Sequence, residues 1–295
     1  MLFIHPVNRR TLFYSFFVTI LTVGCGNLGF QAAYSQADTL ALLRIQSYFD
    51  LNSSQRSVVR SRLKHIHGWH RASEMPVYAL FLREVSELSR DRVTEGEITN
   101  SWGKVQSFYD RVWSRLIVAG APVLASLSEE QIKHLEGKLA ESTKELEEQV
   151  SLPAPERLKK RQEKARKSVA EWLGPISASQ AKELDRIVAE FPDNSQLYLR
   201  YSRERKAQFV QMLRDRRPAA EIQKTLLGWT VYREANYPAY YRGINERWVK
   251  NFSRAAISFD QTITSEQRQH LRTRLQDYIA FCESQGPRQA ALLLF

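Results

Sequence analysis

All-α is the fold class this sequence predicts, and three observations predict it. Apolar residues recur at helical spacing, most clearly in Ile98, Trp102, Val105, Tyr109, Val112 and Leu116, which step alternately by four and three residues. No comparable run alternates with period two, and no Asn-Gly or Asp-Gly hairpin signal occurs. Four segments carry the grammar of a helix start: an apolar residue, a capping Asn, Ser or Thr, and Gln three residues after the cap. The expected body is elongated or bundle-like and multi-helix.

Taken in order, residues 1–24 read as an export signal. Arg9 and Arg10 are the only charges, and an apolar run from Leu12 to Val23 follows, then Gly24 and Cys25. That run is shorter than the roughly 20 residues that span a bilayer core, which disfavours a transmembrane anchor. Leu21-Thr22-Val23-Gly24-Cys25 resembles the bacterial lipobox, with Thr22 where the pattern prefers Leu. The resemblance implies cleavage between Gly24 and Cys25, a diacylglycerol thioether on Cys25, and acylation of the new amino terminus. Several acyl chains give the firm membrane hold that one chain does not. Gly26 stands where an inner-membrane retention signal shows Asp, so the expected place is the outer membrane, facing the periplasm. Asn8-Arg9-Arg10-Thr11-Leu12-Phe13 also resembles a twin-arginine export motif, ranked second because the next run is so apolar. Residues 25–32 would form a lipidated tether.

Cys25 and Cys282 are the only cysteines. With Cys25 lipidated, Cys282 has no partner in the chain, so no disulfide framework is expected and Cys282 reads as a small packing residue. The chain carries a net charge of +11. Export argues against nucleic acid, leaving anionic envelope components as attractants. The one dense basic segment, Arg157–Lys167, contains Glu163 and reads as a solvated helix face ahead of a membrane-surface patch.

Further stripes at Tyr78, Phe81, Leu82, Val85 and Leu88, and at Leu184, Ile187, Val188 and Phe191, predict two more amphipathic helices. Breaks are expected at Met75-Pro76, Ala121-Pro122, Leu152–Pro155, Gly174-Pro175, Phe191-Pro192, Arg217-Pro218 and Tyr237-Pro238. The four capped starts pair Asn52 with Gln55, Ser128 with Gln131, Ser177 with Gln180 and Thr264 with Gln267. They lie in a repeating frame. Leu51 and Ile176 are 125 residues apart, Arg90-Asp91-Arg92 and Arg214-Asp215-Arg216 are 124 apart, and Gln131 and Gln267 are 136 apart. The sequence thus predicts an internal duplication, with about a dozen residues inserted in the second copy near Tyr237–Tyr241. The division is a first helical unit at 33–150, a basic connecting helix at 151–175, a second unit at 176–285 and a tail at 286–295.

The order of lipobox, Asp50–Gln55, Trp69-His70-Arg71, Met75–Tyr78, Leu127–Gln131, Pro155-Glu156-Arg157 and Trp172-Leu173-Gly174 resembles a family of uncharacterised proteobacterial lipoproteins. That family is known mainly as an all-helical domain of unknown function, and it implies no activity. The capped starts separately resemble the LTxxQ motif of the Spy-type periplasmic chaperones, small all-helical dimers. Two motifs per unit make the chain similar to a fused pair of such subunits.

No phosphate-binding Gly loop, Gly-x-Ser-x-Gly elbow, His-Glu-x-x-His helix or Cys-based zinc pattern occurs, and no enzyme is expected. His65, His67 and His70 are the weak metal candidates, since His67 and His70 are spaced to share a helix face. The plainer reading, a polar helix end with Trp69 in the core and His70-Arg71 on the last carbonyls, is preferred. His134 and His270, each three residues after a motif Gln, are read as structural. The expectation is an outer-membrane lipoprotein that binds or scaffolds, with no cofactor beyond the lipid on Cys25. Its expected partners are membrane lipid and an envelope protein or unfolded client. The alternatives are a tethered Spy-like chaperone or envelope-stress protein and a metal-linked sensor.

Overall fold

The computed structural model describes residues 27–286 and is helical almost throughout. The helices are α1 (Asn27–Ser35), α2 (Ala37–Phe49), α3 (Ser53–Trp69), a π turn (His70–Glu74), α4 (Met75–Leu88), α5 (Glu95–Ala125) and α6 (Glu129–Ser151). They continue as α7 (Ala154–Leu173), α8 (Ala178–Glu190), α9 (Ser195–Arg214), α10 (Ala219–Thr230), α11 (Arg233–Asn236), a 3-10 turn (Ala239–Tyr241), α12 (Ile244–Asp260) and α13 (Ser265–Gln285). The chain is all-α, with no strand among the described residues. No helix among them is long and apolar enough to cross a membrane.

Two expected breaks are absent. Pro76 sits in the first turn of α4 with no loop before it. The π turn supplies the extra residue that lets the backbone pass from α3 into α4 despite the proline's missing N–H. Pro122 lies inside α5, within one turn of its end at Ala125, where a single lost hydrogen bond is tolerated. The expected helix end at His70-Arg71 does not exist, so His70 caps no terminal carbonyls.

Five capping boxes start helices. Asn52, Ser128, Ser177 and Thr264 each accept from the backbone N–H of the Gln three residues on, and each Gln side chain accepts from the cap's N–H. Thr94 and Glu97 make the fifth. The glutamines have a second task, which their spacing does not announce. The amides of Gln55 and Gln131 donate to each other's side-chain oxygens (3.3 and 2.7 Å), and those of Gln180 and Gln267 do the same (2.7 and 3.0 Å). Each amide also reaches the carbonyl two residues before its partner's cap: Gln55 to Ser126, Gln131 to Asp50, Gln180 to Thr262 and Gln267 to Pro175. Two clasps of one pattern therefore tie α3 to α6 and α8 to α13.

Packing repeats in the same way. α2 lies on α3 and on α6, and α7 lies on α8 and on α13. α3 packs on α5, and α8 on α12. The largest contacts cross between the halves: α4 lies along α13, α9 along α6, and α5 along α10. His134 bonds the Ser47 carbonyl at the end of α2 (3.1 Å), and His270 packs beside Gly174 at the end of α7.

The segment around Tyr237–Tyr241 forms α11 and the 3-10 turn. Tyr241 stacks on Tyr201 with ring centroids 4.4 Å apart, and with Tyr237 it packs on Leu146 and Val150. The basic helix α7 spends its arginines on α8 and the turn after it. Arg157 pairs with Asp193 (2.7 Å), Arg166 with Asp185 (2.6 Å), and Arg161 donates to the Val188 and Phe191 carbonyls. Lys159, Lys160 and Lys167 remain exposed.

Candidate functional site: a central apolar cavity

α5 carries the apolar stripe read from the sequence, and its direction sets the site. The helix runs antiparallel to the α3–α4 rod, held by Arg62 to the Ala119 carbonyl, Arg115 over the Trp69 ring, Arg111 to Glu74 and Lys104 to Glu84. A stripe at this spacing ordinarily marks a seam closed by neighbouring helices. Ile98, Trp102, Val105 and Leu116 are instead only half-buried, as are Tyr78, Phe81, Leu82 and Val85 of the α4 stripe. All of these residues face one partly open cavity of about 840 Å³. Its wall continues on α2, α3, α7, α8, α12 and α13, between the core around Leu127 and Leu135 and the core around Leu184 and Ile187.

The cavity lies within the range of ligand pockets, about 300–1,000 Å³, and is open to solvent over part of its surface. Its mostly apolar wall offers water few polar partners.

Two polar clusters lie on the wall. Near the α2–α3 hairpin are Arg44, Arg62, Asp38 and His67, with His67 Nδ1 3.8 Å from the Asp38 carboxylate. Near α12 are Glu97, Asp260 and Arg268, the last two paired at 2.9 Å. Lys164, Ser168 and Glu171 of α7 also line it; the rest is mostly apolar, and the Trp102 indole N–H is buried without a hydrogen-bond partner.

His70 and Tyr34 close the corner where α1 meets the π turn. The Tyr34 hydroxyl and His70 Nδ1 are 2.8 Å apart, and Tyr34 is 2% exposed. Burial pushes the His70 pKa down to about 4, overcoming the nearby Glu74 carboxylate, and the neighbouring His67 adds to the fall. Burial also lowers His67. Burial raises the Tyr34 hydroxyl well above its ordinary range, and takes the buried Cys282 thiol up to about 12. Cys282 packs with Tyr34, Met75 and Phe281.

The sequence-derived residues thus fall into three groups. Cys25 and Gly24 lie outside the described residues. The motif glutamines and their caps form the two clasps. His65 is exposed while His67 and His70 line the cavity, and no group of three or more His, Cys, Asp or Glu among the described residues is arranged to hold a metal. The cavity itself escaped the sequence reading, because an amphipathic stripe reports that a face is covered and not what covers it.

A family model matches residues 47–242, from the end of α2 to the residue after the 3-10 turn. The chain belongs to DUF6279, a family of unknown function. The DUF6279 match includes the caps at Asn52, Ser128 and Ser177 and the α4 and α5 walls of the cavity, and stops short of α12, α13 and the Thr264 cap. No curated protein and no solved structure matches the chain.

Proposed function

We propose that this chain is a lipid-anchored envelope protein that binds an apolar ligand in its central cavity and does no chemistry on it. The cavity of about 840 Å³ carries the binding reading, because its wall is mostly apolar. The anchor rests on the lipobox-like run ending at Cys25, and the outer-membrane assignment on Gly26. The body is a duplicated unit fused in one chain. Supporting this are the two glutamine clasps of one pattern and the helix contacts that repeat when α2, α3, α4 and α6 are exchanged for α7, α8, α9 and α13.

Purification from its own envelope tests the binding reading. Native mass spectrometry should show an adduct that organic solvent extracts; a bare chain with nothing extractable would sink it. Cys25→Ser tests the anchor separately. The wild type should carry acyl mass on Cys25 and fractionate with membranes, and an unmodified Cys25 would remove that part.

A tethered Spy-like chaperone is the second reading, favoured by the four LTxxQ-like starts joined in clasps. It predicts that near-stoichiometric protein suppresses aggregation of a denatured test protein; no effect at any ratio counts against it.

A further inference from the structure

We infer that the outer face of α3 is a membrane-contact surface that takes the anionic head groups of the bilayer; this rests on the anchor reading above. Charge, exposed apolar residues and the place of the tether each point to it.

α3 is the only helix among the described residues with basic side chains and no acid. Arg56, Arg60 and Lys64 are exposed and four residues apart, so they form one row, and Arg71 of the π turn is exposed beyond them. Ser53, Ser57, Ser61 and Gly68, also exposed, give the face beside that row small side chains. None of the four bases makes an ion pair among the described residues, and Arg56 reaches only the Leu51 carbonyl, at 3.5 Å. Arg62 is half-buried on the Ala119 carbonyl and Arg115 lies over the Trp69 ring, so neither belongs to the row.

Acids on the neighbouring elements are mostly taken. Asp38 of α2 faces His67, Glu74 pairs with Arg111, Asp110 of α5 with Arg233, and Glu129 of α6 with Arg216. Exposed Asp50 and Glu130 remain at the N-terminal end of α3, and Glu130 shares its turn with Lys133. The clasp does not require this surplus of bases. α8 holds the matching place in the other clasp, and there Arg186 pairs with Glu183 (2.6 Å) and Asp185 with Arg166 (2.6 Å). On α7 the exposed Lys159, Lys160 and Lys167 stand among exposed Glu156 and Glu163.

Four of the seven large apolar side chains exposed among the described residues lie on α3 and the two helices packed beside it. They are Leu40 and Leu43 of α2, Val58 of α3 and Val118 of α5. Bases that draw a surface to phosphates, with apolar side chains to enter among the head groups, favour a bilayer over a soluble polyanion.

α1 begins at Asn27, two residues after Cys25, and its last turn sets Tyr34 against His67 and His70 at the C-terminal end of α3. Its 9 residues are about 13 Å long. Two extended residues add at most about 7 Å. A lipid on Cys25 therefore holds that end of α3 within roughly 20 Å of the membrane.

The chain from Gly26 onward keeps every described residue and lacks the acylated cysteine, so its membrane contact is read apart from the anchor. It would be mixed with vesicles of phosphatidylcholine alone or enriched in phosphatidylglycerol, and bound protein measured by flotation. Binding to the anionic vesicles should be about tenfold stronger or more, and should fade as salt shortens the Debye length from about 10 Å at 0.1 M to about 3 Å at 1 M. A base near an anionic surface contributes about fivefold, so Arg56→Gln, Arg60→Gln and Lys64→Gln together should cost about tenfold or more. The thermal midpoint should not move. Lys159→Gln, Lys160→Gln and Lys167→Gln on α7 remove the same charge and should cost less than about twofold. An environment-sensitive dye on Ser57→Cys should brighten with anionic vesicles, and on Glu163→Cys should not.

Equal losses from the two triple variants would reduce the contact to net charge and overturn the inference, as would no preference for anionic vesicles. Retention on heparin without vesicle binding would reject the bilayer in favour of a soluble polyanion. If anionic vesicles do not bind while wild-type Cys25 carries its acyl mass, the inference falls and the anchor stands. If wild-type Cys25 is unmodified, the anchor falls and the inference with it.

Discussion

A side-chain amide sits at the centre of each clasp, and its burial sets what its loss should cost. Gln131, Gln180 and Gln267 are buried, and each meets an amide, a cap N–H and a distant carbonyl at once. Truncating one leaves buried partners unmet, at about 1–3 kcal/mol for each orphaned group. Gln267→Ala should therefore lower stability by about 3 kcal/mol. Because Gln180 then has already lost its partner, the double variant with Gln180→Ala should cost at least 1 kcal/mol less than the sum of the singles. Urea unfolding of the four chains measures this, and strict additivity would mean the glutamines do not support each other. His70 sets a pH dependence. Its folded value of about 4 lies below the ordinary 6.5 of a histidine, so the unfolded chain binds the proton more tightly. Stability from this group is complete above about pH 6.5, falls as pH drops toward 4 and levels off below, by about 3 kcal/mol in all. His67 is shifted in the same direction and steepens the slope. His70→Asn should flatten the denaturation midpoint between pH 6.5 and 4; an unchanged slope would assign it elsewhere.

Helix starts were legible because a capping box is local: four residues carry the donor, the acceptor and the spacing. The fifth, Thr94 to Glu97, carries the same signature with Glu in place of Gln. Proline is less decisive, since its effect depends on where in the turn it falls, and neither Pro76 nor Pro122 breaks a helix. The π turn was not legible at all. Its consequence is a carboxylate turned inward: Glu74 is 3% exposed and meets Arg111 of α5 through two bonds of 2.8 and 2.7 Å. This joins the bend in the α3–α4 rod to the middle of α5. Arg111→Met would strand the Glu74 charge and should cost about 3 kcal/mol, whereas Arg111→Met with Glu74→Leu should recover most of it. Thermal unfolding distinguishes the two. If the double variant is as unstable as the single, the loss belongs to packing of the Arg111 stem and not to the charge.

At the scale of the molecule, a repeat in sequence predicts similar parts and says nothing of how they are joined. Separate lobes either side of the basic helix would give the same spacing of Leu51 and Ile176. The observed contacts differ from that picture in kind: α4 finds its main partner in α13, α9 in α6, and α5 in α10. Each half covers the apolar faces of the other, and the cavity wall draws on helices of both. Such halves have little reason to fold apart, since a helix with its apolar face in water gains too little to offset its ordering. Residues 27–152 and 153–286, made as separate chains, should each show weak, noncooperative helicity, and mixing them should restore one cooperative thermal transition. Burial of a shared interior also predicts that the same transition is seen by circular dichroism and by tryptophan emission, with Trp113 in the first half and Trp229 in the second. A fragment that folds as a stable monomer would overturn the interleaving, and would make the cavity a gap between lobes rather than an interior that both halves build.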